Sequence, residues 1–74
     1  MSNPLSNDDR AILEFLNKDD GRYQYNWWAI SGPGIPLFSL KYDLQSLKRR
    51  GLVDAEGRGN YRQWWITDKG KERL

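Results

Sequence analysis

Apolar positions along this chain repeat first at helical and then at strand spacing, and the period changes at one glycine. Leu37, Leu40, Leu44 and Leu47 recur every three or four residues and form one apolar stripe, with Phe38, Tyr42, Gln45 and Arg49 on the opposite side. Pro36 suits the first helical position, where a missing N–H is no loss. Gly51 suits a left-handed stop, and the cations Lys48, Arg49 and Arg50 before it favour the negative end of a helix. The spacing therefore predicts a helix over 36–50. Beyond the glycine, 52–55 and 61–66 read as strands, and Glu56-Gly57-Arg58-Gly59-Asn60 between them tolerates the positive φ of a hairpin turn. In the second strand, alternation puts Trp64 and Ile66 on one face and Gln63 and Trp65 on the other.

Before this unit, Ser6 and Asp9 form a capping-box pair, so a scaffold helix is expected from Asn7 with Ile12, Leu13, Phe15 and Leu16 inward and Asp19-Asp20-Gly21 at its end. Tyr23, Tyr25, Trp27 and Trp28 fit either a short strand or a helical turn. The favoured reading is an extended stretch over 22–25, then an Asn26-capped short helix over 27–31 stopped by Gly32-Pro33, with Ile35 filling the turn. Thr67 is a natural cap for a final helix over 68–74. The sum is one α+β domain over 1–74, with residues 1–6 expected to be flexible: three helices, a hairpin over 52–66 and a short C-terminal helix.

Composition narrows the function. A chain of 74 residues buries only about 60% of its unfolded surface. Its four tryptophans, four tyrosines and two phenylalanines are expected to fill that small core, Trp27, Trp28 and Trp64 among them. Cysteine and histidine are absent, which removes disulfides, thiolate sites and the commonest metal ligand and proton shuttle. Neither a metal nor a cofactor is expected. The carboxylate pairs Asp19/Asp20 and Asp54/Glu56 have no nucleophile beside them, so they read as solvated loop charges and no enzyme is expected. No run approaches the roughly 20 apolar residues of a membrane span, so no membrane partner is expected and the cytoplasm is the expected location. Residues 1–35 carry three basic and five acidic side chains, whereas 36–74 carry nine and five, so the two parts balance at −2 and +4. An anionic partner would meet the second part.

The run Gly34-Ile35 leading into Leu40, Leu44 and Leu47, then Arg50-Gly51-Leu52-Val53, a glycine-rich hairpin and Trp65-Ile66-Thr67-Asp68-Lys69-Gly70, resembles the winged helix-turn-helix of small bacterial transcription regulators. The nearest flavour is that of the multiple-antibiotic-resistance and phenolic-acid regulator superfamilies. The resemblance implies a DNA-binding protein, a transcription regulator of bacterial or phage type, with double-stranded DNA as partner. Helix 36–50 would enter the major groove and the hairpin would serve as the wing. Carried over position by position, Phe38, Ser39, Lys41, Tyr42 and Gln45 would face base edges, Lys48 and Arg49 would lie nearer phosphates, and Arg58, Asn60 and Arg62 would touch the sugar-phosphate backbone. Phe38 and Tyr42 read equally well as packing against the neighbouring short helix. Asp43 puts a negative charge beside this face. The long dimerisation helices of such regulators are missing, so tight binding is expected to need a homodimer or a protein partner. A competing reading of the same fold is a protein-interaction module that docks through Trp65, if exposed, and Trp28.

Overall fold

The computed structural model describes residues 4–30 and 37–74, with the side chains of Leu37, Phe38 and Asn60 outside the description. The expectations for Gly32-Pro33, Ile35 and Pro36 lie outside the described residues.

Helix α1 (Asn7–Leu16) starts at the expected capping box: the Asp9 N–H donates to Ser6 Oγ at 3.0 Å and the Ser6 N–H to Asp9 Oδ2 at 3.5 Å. Leu5, just before it, packs against the core. The chain then reverses through a 3₁₀ turn over Lys18–Gly21, in which Asp19 and Asp20 take φ of 53° and 63°. Aspartate visits this left-handed region more readily than most residues do. The extended stretch expected over 22–25 narrows to one paired residue: Tyr25 exchanges both backbone hydrogen bonds with Trp64, at 2.9 and 2.8 Å. One helical turn follows as α2 (Trp27–Ile30), and Asn26 Oδ1 accepts the Ala29 N–H at 3.0 Å.

Helix α3 (Leu37–Arg49) buries Leu40, Leu44 and Leu47. It stops at Gly51, whose φ is 79°. There the Leu52 N–H reaches back to the Leu47 carbonyl at 2.9 Å and the Gly51 N–H to that of Lys48 at 3.0 Å, the paired closure that needs a left-handed residue. The chain continues into strand β1 (Val53–Glu56), which pairs antiparallel with β2 (Gln63–Ile66) in the register Val53↔Ile66, Asp54↔Trp65, Ala55↔Trp64 and Glu56↔Gln63. Val53, Trp64 and Ile66 turn inward, while Asp54, Glu56 and Gln63 face out. The connection holds a 3₁₀ turn over Gly59–Tyr61. At the foot of the hairpin the Thr67 N–H donates to the Leu52 carbonyl at 3.1 Å. The Thr67 hydroxyl donates to the Gly51 carbonyl at 2.6 Å and accepts from the Gly70 N–H at 3.1 Å, capping helix α4 (Asp68–Glu72). A Cβ on Gly70 would overlap the Leu52 carbonyl oxygen, so only glycine lets α4 sit this closely on the turn after α3.

The core corrects one expectation. It is aliphatic, built of Ile12, Leu13, Leu16, Ile30, Leu40, Leu44, Leu47, Leu52, Val53 and Ile66, with Trp64 the one buried ring among the described residues. Phe15, Tyr25 and Trp27 lean on it from outside. Phe15 meets Tyr25 edge-on at 4.9 Å, with the Lys18 ammonium 4.7 Å from the Phe15 ring. Large rings are hard to enclose completely in so small an interior, whereas branched aliphatic side chains interdigitate there. The aromatic residues form a shell instead. Among the described residues no helix is long and apolar enough to cross a membrane.

Candidate nucleic-acid interface

At ~100° per residue, the part of α3 outside the core divides into three strips. Lys41, Gln45 and Lys48 run along the side nearest the hairpin, Tyr42 and Arg49 face outward, and Ser39, Asp43 and, just past the helix end, Arg50 run along the side nearest α1. Contacts bear out the division. Arg50 Nη1 lies 3.5 Å from Asp9 Oδ2 of α1. Partial burial, then the negative charges of Asp9 and Asp8, hold the Asp43 carboxyl above its ordinary range. Lys41 and Gln45 border a groove shared with the hairpin.

That groove has a volume of about 220 Å³. Lys41, Leu44 and Gln45 of α3 form one wall, Trp27 of α2 closes an end, and Gly59, Arg62 and Trp64 of the hairpin form the other wall. Its two cations lean on its two indoles: Lys41 Nζ is 5.3 Å from the Trp27 ring and Arg62 Cζ is 5.7 Å from the Trp64 ring. The Arg62 Nε–H also donates to the Gly57 carbonyl at 3.4 Å. Such contacts orient a cation without neutralising it. The Trp27 Nε1–H is buried and has no hydrogen-bond partner. None of Asp43, Asp54 and Glu56 lines the groove: Asp43 lies about 160° round α3 from Lys41, and the other two sit on the outer face of the hairpin.

The remaining residues picked out in the sequence are spread more widely. Tyr42 is 77% exposed, so it does not pack against the short helix. Ser39 is half-buried towards α1, while Lys48, Arg49 and Arg58 are exposed. The side chains of Phe38 and Asn60 lie outside the described residues. Trp28, expected in the core as well as named for a protein interface, is 53% exposed, its ring 4.8 Å from that of Trp27. A one-turn helix has little inward surface, and Ile30 and Trp27 take it. Trp65, named for a protein interface on condition that it is exposed, is half-buried. Sequence reasoning missed two features: Tyr61, 85% exposed at the hairpin tip, and Trp27 as the end wall of the groove. The Tyr61 position could have been flagged by its place beside the glycine turn. The Trp27 role could not, because it arises from long-range packing.

No protein-family model matches the chain, and no curated protein sequence does either. Among solved structures, the chain is similar to the crystal structure of dissimilatory sulfite reductase D, with a TM-score of 0.71 over 92% of this chain and 96% of that one, at 15% identity. At that identity the likeness speaks to the fold alone, and the fold is a small α+β, winged-helix-like arrangement with an antiparallel two-stranded hairpin.

Proposed function

We propose that this domain binds double-stranded DNA as a small transcription regulator of bacterial or phage type in the cytoplasm, with α3 in the major groove and the hairpin as its wing. The observation that carries the reading is the convergence of Lys41, Gln45 and Arg62 on one groove that no carboxylate lines among the described residues. Gln45 and Lys41 are placed to meet base edges, with Ser39, Phe38 and Tyr42 on adjoining parts of the first turns of α3. Lys48, Arg49, Arg58 and Arg62 supply phosphate contacts, with Asn60 beside them on the wing. A homodimer would double these contacts and raise affinity to the level a regulator needs.

The test is fluorescence anisotropy of labelled random-sequence duplex titrated with the protein at 50 and 200 mM salt. With about four phosphate contacts, the affinity is expected to fall roughly a hundredfold between the two salt concentrations. No binding at the lower salt would overturn the reading. A second reading, a protein-interaction module, is favoured in that event by the exposed ring of Trp28, since such rings suit interface centres.

A further inference from the structure

Strand β1 has a partner on one side only. Across the small sheet the order is Tyr25, β2, β1, so among the described residues no strand pairs with the far side of β1. Which backbone groups face that open side follows from Tyr25. The N–H and C=O of Trp64 are both turned to Tyr25 and therefore away from Ala55, so Ala55↔Trp64 is a pair without backbone hydrogen bonds. The N–H and C=O of Ala55 thus point to the open side. An unpaired strand edge of this kind is a template for another strand.

The other outward positions are closed by packing or by the turn. Alternation makes them 53 and 57, one on each side of Ala55. Val53 is 1% exposed, and Gly57, at a φ of 104°, has its carbonyl engaged by Arg62 Nε–H. Ala55 is only half-buried and remains within reach. Its N–H, however, is already taken: it donates at 2.8 Å to Oδ1 of the exposed Asp54, the residue just before it. That bond joins no element to another, since β2 makes no use of the Ala55 N–H.

A second copy of this chain carries the same edge. Two β1 strands set antiparallel with Ala55 opposite Ala55 would exchange both Ala55 hydrogen bonds. The same register places Asp54 of each copy opposite Glu56 of the other, on the outer face, and like charges directly opposite are destabilising. We propose that the edge of β1 is a pairing surface for a second copy of the chain and that Asp54 keeps it closed. Its side chain holds the Ala55 N–H, and its charge meets Glu56 of an incoming copy. The hairpin is thereby kept single, and a homodimer of this domain has to form through another surface. Nothing in this depends on DNA binding.

Variants made in a Glu56→Gln background separate the two roles of Asp54. Asp54→Asn and Asp54→Ala lose the same charge, but the first keeps an oxygen that can accept the Ala55 N–H and the second has none. Sedimentation equilibrium reads the association, and the Ala55 amide signal followed against protein concentration by NMR locates it. The alanine variant is expected to self-associate about tenfold more strongly than the asparagine variant, the scale of one released backbone donor, with the Ala55 signal moving as it does so. Adding Ala55→Pro to the alanine variant removes that donor and should return association to the asparagine level. Proline is tolerated at an edge position whose N–H the neighbouring strand does not use. Should the proline variant fail to fold, the first two variants carry the test between them. Equal association of those two, association that survives the proline, or an alanine variant that keeps the parent's mass at every concentration would overturn the proposal. No nucleic acid is present, so none of these outcomes bears on the DNA reading.

Discussion

The two flanks of α3 carry similar numbers of polar residues, yet they do opposite things with charge. On the α1 side, Arg50 is paired at 3.5 Å with Asp9, whose carboxylate also accepts from the Ser6 backbone. Partial burial and, after it, the charges of Asp9 and Asp8 raise the Asp43 pKa. The Arg50 charge is met inside the domain by acids. On the hairpin side, Lys41 and Arg62 face indoles rather than carboxylates. Their charge is positioned but left uncompensated, so the field points outward from the groove. What distinguishes the two flanks is the element lying across from each, and not the composition of the helix itself.

The comparison can be broken most severely from beneath. Leu40→Ala removes a fully buried side chain under both flanks and is expected to destabilise the fold by about 2–5 kcal/mol, read by urea unfolding. On the hairpin side, the double substitution Lys41→Glu and Arg62→Glu should weaken duplex binding by about thirtyfold, a ~2 kcal/mol effect, through reversed charge at the groove. Its melting temperature should stay within a few degrees of the parent, and an equal loss from Lys69→Glu with Lys71→Glu, a similar charge reversal on α4 outside the groove, would show that the flank has no special standing. On the α1 side, Arg50→Ala should lower stability by about 1–2 kcal/mol, because it strips the Asp9 carboxylate of its ion pair and leaves three acids near one another.

The smallest effect has a sign that sharpens the contrast. Because folding raises the Asp43 pKa above 3.8, the charged carboxylate opposes folding at neutral pH, and that opposition disappears as the pH falls through the raised folded value to below 3.8. Asp43→Asn is therefore expected to stabilise the domain at pH 7 by no more than about 0.5 kcal/mol. The gain should vanish below pH 3.8, as thermal melts across the pH range would reveal.

The parts of this fold that could be read from the sequence are those set within a few residues. The Ser6 box, the Leu40–Leu44–Leu47 stripe, the Gly51 stop and the Thr67 cap all depend on near neighbours, and all four sit where the spacing put them. The Tyr25–Trp64 pairing was not legible, because it joins residues 39 positions apart through backbone groups alone. The rings misled for a related reason: hydrophobicity ranks tryptophan as core-seeking but says nothing of whether a small interior can enclose it. At the candidate site, Lys41, Gln45 and Arg62 were named from the sequence and are brought together by the fold. Their aromatic backing by Trp27 and Trp64 required the three-dimensional arrangement.

One hydroxyl fastens the foot of the hairpin. Thr67 Oγ1 ties the Gly51 carbonyl to the start of α4, while the Gly70 backbone fills the space where any side chain would collide with Leu52. The hairpin thus behaves as a beam clamped at one end, with Tyr25 as a rest along its length. Residues near the clamp set the angle at which the beam leaves the body and hence the width of the groove. Arg58 and Tyr61, exposed at the tip, change only what the free end carries. Mutational drift can therefore rewrite the tip without disturbing the aim, whereas a change at Gly51, Thr67 or Gly70 would swing the whole arm.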